Sequence, residues 1–149
     1  MDIFDVLTSD HDKVKKILDQ MEQTSVKAGK KRETLLENLK ANLLPHMSAE
    51  EQYFYQILLD ETAEKESVYA ALEEHRAARA VLTDLESASV DDPRWGARLR
   101  VLKELIEHHI EEEESEIFEI AREIADEERA VSMAKRFKEL KKEAPTHVG

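Results

Sequence analysis

The most constraining feature of this sequence is a polar interruption in the apolar stripe of a predicted helix. Between residues 99 and 124, apolar side chains recur every three or four residues, the spacing that lines one face of an α-helix. Two consecutive positions of this stripe hold His109 and Glu113 instead. Burying either group without a partner is costly, whereas one metal ion can bind an imidazole and a carboxylate that lie a helical turn apart. The stripe therefore predicts a metal site inside the fold.

The composition is that of a helical protein without thiol chemistry. Of its 149 residues, 41% are hydrophobic and 38% are charged, and there are three glycines and three prolines. The length predicts one domain over 1–149, with a bundle over about 2–125 and a C-terminal helix over about 127–143. Because the chain has no cysteine, any metal must be bound through nitrogen and oxygen.

Charge and hydropathy exclude several kinds of partner. Lys and Arg number 22 against 34 acidic residues, and the net charge of −12 argues against binding a phosphate backbone. No apolar run approaches the ~18 residues that span a bilayer, and the acidic start Met1–Asp5 is unlike a secretory or transit peptide. We therefore expect a cytoplasmic protein that binds neither nucleic acid nor membrane.

Hydrophobic periodicity predicts an all-α fold, an up-down-up-down four-helix bundle with a short C-terminal fifth helix. The bundle helices are predicted over about 2–22, 30–61, 64–87 and 93–125. The last of these should begin at Asp91-Asp92-Pro93, because an acidic cap followed by proline favours a helix start.

Three local expectations follow from the same pattern. Pro45 lies inside the second helix and should kink it or remove a backbone hydrogen bond just before His46. The inner face of that helix should continue through Ile57. The fifth helix is expected to bury a face that includes Val131 and Phe137.

The sequence also repeats itself. Residues His11–Glu22 align with His75–Glu86 at an offset of 64, and His46–Tyr55 align with His109–Phe118 at an offset of 63. The two offsets agree within one residue, and the aligned polar residues are those that occupy apolar stripes. The two halves of the chain are therefore predicted to present the same ligands.

These ligands should meet, because each histidine lies near the midpoint of its helix and midpoints share one level in such a bundle. Two glutamates follow their histidines by four residues, about 6 Å along the axis, and should face each other there. The predicted ligands of this two-metal site are His11, His46, Glu50, His75, His109 and Glu113.

Neighbouring polar residues are assigned to the surface. A lone histidine on an apolar stripe is usually a hydrogen-bonded core residue, so the metal prediction depends on the convergence of all six ligands. His108 lies roughly 100° from the stripe and is a secondary candidate, expected at a helix interface or the surface. Glu111, Glu112 and Glu114 are expected on a solvated face, and His147 in the tail is expected to be free.

The series His11, His46-x-x-x-Glu50, His75, His109-x-x-x-Glu113 resembles the H, HxxxE, H, HxxxE pattern of the hemerythrin-like (HHE cation-binding) domain. The paired glutamates and the nearby aromatic residues also fit this family. The resemblance implies a four-helix bundle that holds two iron ions, bridged by oxo or hydroxo and by the two glutamates, with the four histidines as terminal ligands. The competing ferritin-like bundles use ExxH pairs, which this sequence does not contain.

One departure from the family matters. The oxygen-carrying hemerythrins that this chain resembles have a second histidine one turn after the third-helix histidine, where this chain has Arg79. The change leaves one more coordination position open than an oxygen carrier has, which favours chemistry on a bound ligand over reversible carriage. The sequence leaves open whether Tyr53, Tyr55, Arg79 or His108 alters this count.

The resemblance implies a hemerythrin-like non-haem di-iron protein that binds or reduces a small oxidant, namely O2, hydrogen peroxide or nitric oxide. Peroxidase-like, catalase-like or nitric-oxide-handling activity stays open, as do the reductant, the oligomeric state and the choice of iron over manganese or zinc. One alternative is an iron or oxygen sensor or store without turnover. Another is a metal-free helical interaction module that docks through the basic segment 129–142.

Overall fold

The computed structural model describes residues 1–145, and helices joined by short connections account for most of them. In chain order they are α1 (Ile3–Glu22), α2 (Gly29–Ala49), a first π segment (Glu50–Phe54), α3 (Tyr55–Glu61), α4 (Lys65–Ser87), α5 (Pro93–Glu112), a second π segment (Glu113–Ile117), α6 (Phe118–Ile124) and α7 (Glu127–Glu143). The first π segment joins α2 to α3 and the second joins α5 to α6, so each makes one long helix. His147 lies outside the described residues.

Aspartate caps begin three of these helices. The side chain of Asp2 accepts a hydrogen bond from the backbone of Asp5, and Asp126 does the same for Arg129. Asp92 accepts from the backbone of Arg94, with proline as the first helical residue. Such caps satisfy backbone donors that a helix start leaves free. The predicted helix start at Asp91-Asp92-Pro93 is confirmed.

The long helices form a ring. α1 packs against α2 and α5, and α4 packs against α3 and α5, which is the arrangement of a four-helix bundle. α7 lies across α1, α2 and the first π segment. The predicted all-α four-helix bundle with a short fifth helix is confirmed. None of the helices within residues 1–145 has the combined length and apolarity needed to cross a membrane.

Two apolar clusters fill the bundle, one on each side of its middle. One cluster contains Phe54, Leu58 and Phe137, and the other contains Leu39 and Trp95, all of them buried. Along each long helix, residues of one cluster lie before the predicted metal ligands and residues of the other cluster lie after them. The polar side chains of the repeat therefore occupy a layer enclosed between two apolar layers.

The two π segments explain where the predicted core faces are wrong. A π turn spans one residue more than an α turn, so it rotates every later side chain around the helix axis. After the first π segment the fully buried residues are Tyr55 and Leu58, and the predicted Ile57 is only partly buried. After the second, the predicted Ile120 is buried, but Phe118 and Ala121 are buried as well and the predicted Ile124 is only partly buried. A strict α-helical period could not predict this shift.

Two further expectations concern α2 and α7. As predicted, Pro45 lies inside α2, which continues through it to Ala49, and proline supplies no backbone donor at that position. On α7, the predicted Phe137 is buried, as is Ala134, but Val131 is 50% exposed and Ala130 and Met133 are buried as well. The buried face is therefore rotated slightly from the predicted one, because the direction from which the bundle covers α7 decides which side is buried.

The packing of α7 can be tested with Phe137→Ala, which removes a fully buried ring from the apolar cluster. We expect this change to lower the free energy of unfolding by about 3–5 kcal/mol, measured by urea denaturation. The exposed Val131→Ala on the same helix is the matched control and should change the free energy by less than about 0.5 kcal/mol. Equal effects of the two variants would contradict the docking of α7 seen here.

Candidate metal centre

The six side chains predicted to bind metal meet in the polar layer of the bundle. They are His11 from α1, His46 from α2, Glu50 from the first π segment, His75 from α4, His109 from α5 and Glu113 from the second π segment. Their donor atoms form two groups, in each of which all donors lie within 4.8 Å of one another. The first half-site contains His11 and His46, the second half-site contains His75 and His109, and both glutamates belong to both half-sites.

Glu50 connects the two half-sites. Its Oε1 lies 3.1 Å from Nε2 of His46 and 3.2 Å from Nε2 of His75. The residue is fully buried, and neither carboxylate oxygen has a well-formed hydrogen bond among the described residues. Glu50 therefore lies within reach of histidines from both half-sites.

Glu113 spans the centre from the opposite corner of the bundle. Its Oε2 lies 3.0 Å from Nε2 of His109, and its Oε1 lies 3.9 Å from Nε2 of His11. Because 3.9 Å is too long for a hydrogen bond, both Oε1 of Glu113 and Nε2 of His11 are buried without a partner in the described structure. Like Glu50, Glu113 is fully buried and reaches both half-sites.

These unpartnered atoms fit a metal centre. Buried polar atoms are nearly always hydrogen-bonded, because leaving them unpaired costs free energy. Here they converge on one region of the core, together with other imidazole and carboxylate donors. Four nitrogens and two carboxylates form a ligand set for first-row divalent cations. Two cations would provide partners for these atoms and offset the negative charge of the carboxylates.

A second layer of carboxylates holds the imidazoles from outside, through their Nδ1 atoms. The pairs are His11 with Glu114, His46 with Asp10, His75 with Glu51 and His109 with Glu74, at 2.7 to 2.8 Å. Hydrogen bonding from the imidazole lowers the pKa of Glu114 and of Glu74, so both remain ionised acceptors. Since an ionised carboxylate only accepts, the proton lies on Nδ1 and each Nε2 faces the centre.

Two of these outer carboxylates are bound by a cation. The Nζ of Lys141, on α7, donates to both oxygens of Asp10 at 2.8 and 2.7 Å. Nη1 of Arg79 donates to Oε2 of Glu51 at 2.6 Å. Burial raises the pKa of Asp10 and of Glu51, but their imidazole and cation partners outweigh burial and lower both. Arg79 thus contacts an outer carboxylate, and α7 is linked to the first half-site.

The structure corrects one surface assignment. Glu114 was expected on a solvated face, but it accepts the hydrogen bond from Nδ1 of His11. The outer residues Asp10 and Glu74 were not predicted at all. A sequence signal for them exists, since each directly precedes a histidine of the repeat, His11 or His75, and occupies an aligned position.

His108 lies at the surface, as its offset from the stripe predicted. Its side chain is 64% exposed, and Nε2 lies 3.1 Å from Oε1 of Glu112. It belongs to neither half-site. Glu111 is exposed and Glu112 is partly exposed.

Tyr55 was not predicted as part of the centre, although its role was left open. Its hydroxyl donates to Oε2 of Glu113 at 2.8 Å and lies 3.4 Å from Nε2 of both His75 and His109. Burial, followed by the negative charges of Glu113 and Glu50, raises the pKa of Tyr55 well above its ordinary value. The hydroxyl is therefore a protonated donor at the second half-site, placed there by the first π segment.

A small cavity adjoins the centre. Its volume is about 20 Å³, enough for a water-sized molecule. The four histidines, Glu50 and Glu74 supply its polar lining. Its apolar walls include Val14, Leu43, Met47, Ile106 and Ile110. Small neutral ligands suit this space, whereas large or charged ones do not.

Without metal, protons balance part of the buried charge. Burial, and then the negative charge of Glu113, raises the pKa of Glu50 to about 8. Burial lowers the pKa of His109, but its hydrogen bonds with Glu113 and Glu74 outweigh burial and raise it to about 10. At neutral pH both groups therefore hold a proton, and a bound metal would displace these protons.

These two pKa values predict how the stability of the metal-free protein depends on pH. The pKa of each group is higher in the folded protein than in the unfolded chain, so the folded state binds more protons and the free energy of unfolding falls as pH rises. Between pH 6.5 and 8, each group lowers the free energy of unfolding by up to about 1.4 kcal/mol per pH unit. We expect a lower melting temperature at pH 8 than at pH 6.5 in thermal denaturation.

The variant Glu50→Gln should flatten this pH dependence, because it removes one of the two titrating groups. Glu33→Gln, at an exposed position of α2, is the matched control and should keep the wild-type slope. Stability that rises over this pH range, or a wild-type slope in Glu50→Gln, would contradict the prediction.

Comparison with known proteins agrees with the fold and the ligand pattern. A search of curated proteins finds no match. Among solved structures, the fold is similar to that of a hemerythrin HHE cation binding domain-containing protein from Mycobacterium kansasii. The TM-score is 0.80 at 21% identity, over 96% of this chain and 89% of that one. Residues 2–121 match the sequence model of the family described as Hemerythrin HHE cation binding domain. The chain therefore belongs to the hemerythrin HHE cation-binding domain family.

Proposed function

We propose that this protein is a non-haem di-iron protein that binds or reduces a small oxidant, either O2, hydrogen peroxide or nitric oxide. The observation that carries the proposal is the pair of half-sites that share two buried carboxylates beside a small apolar cavity. The iron ions, and the histidines and glutamates as their ligands, are part of the proposal.

The ligand set supports binding of two cations. Each half-site supplies two imidazole nitrogens, and Glu50 and Glu113 serve both. Outer carboxylates fix the orientation of every imidazole, which reduces the rearrangement needed on metal binding. Nitrogen and carboxylate donors without thiolate accept iron, manganese or zinc, and the choice of iron in this proposal follows the family resemblance.

The surroundings support a small and neutral ligand. The cavity of about 20 Å³ has room for a diatomic molecule or peroxide and excludes larger substrates. Apolar side chains above and below the centre exclude bulk water, which protects reactive species from side reactions. When bound, two ferrous ions would supply two electrons, which together with two protons reduce one hydrogen peroxide to two water molecules.

The protein side chains have separate roles in this proposal. Tyr55 holds a proton on its hydroxyl at the second half-site, where it can donate a hydrogen bond to a ligand in place of Glu113. The outer carboxylates keep each Nδ1 protonated, so that Nε2 is the donor to the metal. Lys141 and Arg79 neutralise two of these carboxylates and hold them in position.

Metal content provides the first test. The wild-type protein loaded with iron should hold two irons per chain by elemental analysis and show charge-transfer absorption of a bridged ferric pair. The double variant His46→Ala/Glu113→Ala removes one histidine and one shared carboxylate and should lose both features. His108→Ala, whose side chain belongs to neither half-site, should keep them. Iron retained by the double variant would exclude this ligand set.

Reaction with oxidant provides the second test. Tyr55→Phe should keep both irons but slow the reaction of the reduced protein with hydrogen peroxide by about 10²-fold in stopped-flow absorbance, because it removes one oriented donor. Tyr53→Phe is the control, since Tyr53 is only partly buried and packs against the apolar cluster. Unchanged kinetics in Tyr55→Phe would show that the hydroxyl takes no part in the reaction.

A wild-type protein that gains thermal stability with iron but turns over no oxidant would instead indicate a sensor or store.

A further inference from the structure

An acidic seam runs from the surface to the metal centre between α4 and the long helix formed by α5, the second π segment and α6. Its outer part is a cavity of about 460 Å³ and its inner part a cavity of about 240 Å³, and both are lined by Glu66, Ser67 and Glu116. Glu64, Glu119 and Glu123 also line the outer part. The shared walls make the two cavities one continuous depression.

The inner cavity ends on two members of the second half-site. Glu113 lines it and is fully buried, and its Oε2 lies 3.0 Å from Nε2 of His109. His109 also lines it, and its side chain is 11% exposed, compared with 2 to 4% for the other three histidines of the centre. The seam therefore leads to the part of the centre that lies nearest to solvent.

Three residues near the inner cavity form a separate group of metal-binding side chains. Donor atoms of Glu74, His108 and Glu112 lie within 4.8 Å of one another. Both glutamates line the inner cavity, and His108 contacts Glu112 at 3.1 Å. Glu74 also accepts the hydrogen bond from Nδ1 of His109, so this group adjoins the second half-site directly. An imidazole and two carboxylates suit a first-row divalent cation.

The charge of the seam favours cations. Glutamates line both cavities, and the ammonium of Lys65 at the outer rim donates to the backbone carbonyls of Leu59 and Thr62 at 2.6 Å each. A cleft lined by one sign of charge concentrates counter-ions and raises their rate of association. A divalent cation would be drawn inward, toward Nε2 of His109 and Oε2 of Glu113, which lie 3.0 Å apart at the second half-site.

We propose that Glu74, His108 and Glu112 form an outer divalent-cation site that captures metal at the acidic seam before it passes to His109 and Glu113 at the centre. This inference depends on the proposed function only in requiring that the centre binds metal. It gives a role to His108, which neither half-site uses.

The test measures Co²⁺ binding to the metal-free protein by absorption, at equilibrium and by stopped flow. The wild-type protein should bind two Co²⁺ tightly and a third more weakly. The variant His108→Ala/Glu112→Gln should lose the third equivalent, still bind the first two, and fill them about tenfold more slowly. Both substituted residues are partly or largely exposed, so the fold should persist, as circular dichroism can verify.

Glu128→Gln is the matched control, because it removes one acidic charge at an exposed position on α7 that lines neither cavity of the seam. It should load at the wild-type rate and keep the third equivalent. A third equivalent that persists in the double variant, a wild-type loading rate in that variant, or equal slowing in the control would each overturn the outer site while leaving the metal centre intact. Failure of the wild-type protein to bind the first two Co²⁺ would overturn the proposed function as well.

Discussion

The structure depends on how four imidazoles and two carboxylates are kept in the interior of a small bundle. Each group alone would oppose burial, and no apolar packing can compensate an unpaired buried carboxylate. The chain surrounds them with two apolar clusters and binds every imidazole from outside through a carboxylate. What stays unpaired faces inward, at the position proposed for the metals. The polar layer is thus the part of the core to which the proposed function is assigned.

The internal repeat extends beyond the six inner side chains. In each half, an acidic residue precedes the first histidine, Asp10 or Glu74, and a glutamate follows the inner glutamate, Glu51 or Glu114. Each of these acids binds a histidine of a different long helix. The outer carboxylates therefore tie the helices together around the centre, and the duplication gives both half-sites the same support.

The two half-sites have the same kinds of ligands but different surrounding residues. The first half-site is covered by α7, where Lys141 binds Asp10 and the ring of Phe137 lies 5.7 Å from that of His46. The second half-site has the hydroxyl of Tyr55 and lies at the inner end of the acidic seam. The family sequence model ends at residue 121, so α7 and its contact with Asp10 lie beyond the matched region. Two similar half-sites thus meet different surroundings.

The sequence by itself determined the fold class, the helices and the six inner residues. The buried face of a helix requires an apolar residue every three or four positions, and the six polar residues are recognisable because they occupy such positions. It did not determine the phase of the helices after each π segment, since a π turn depends on packing and shifts Tyr55 and Leu58 inward without a change in composition. Nor did it determine the partners of the outer acids. Which carboxylate meets which imidazole, and that Lys141 reaches Asp10 across 131 residues, is decided only when the helices pack. Contacts between side chains distant in sequence arise from tertiary structure, and no local period encodes them.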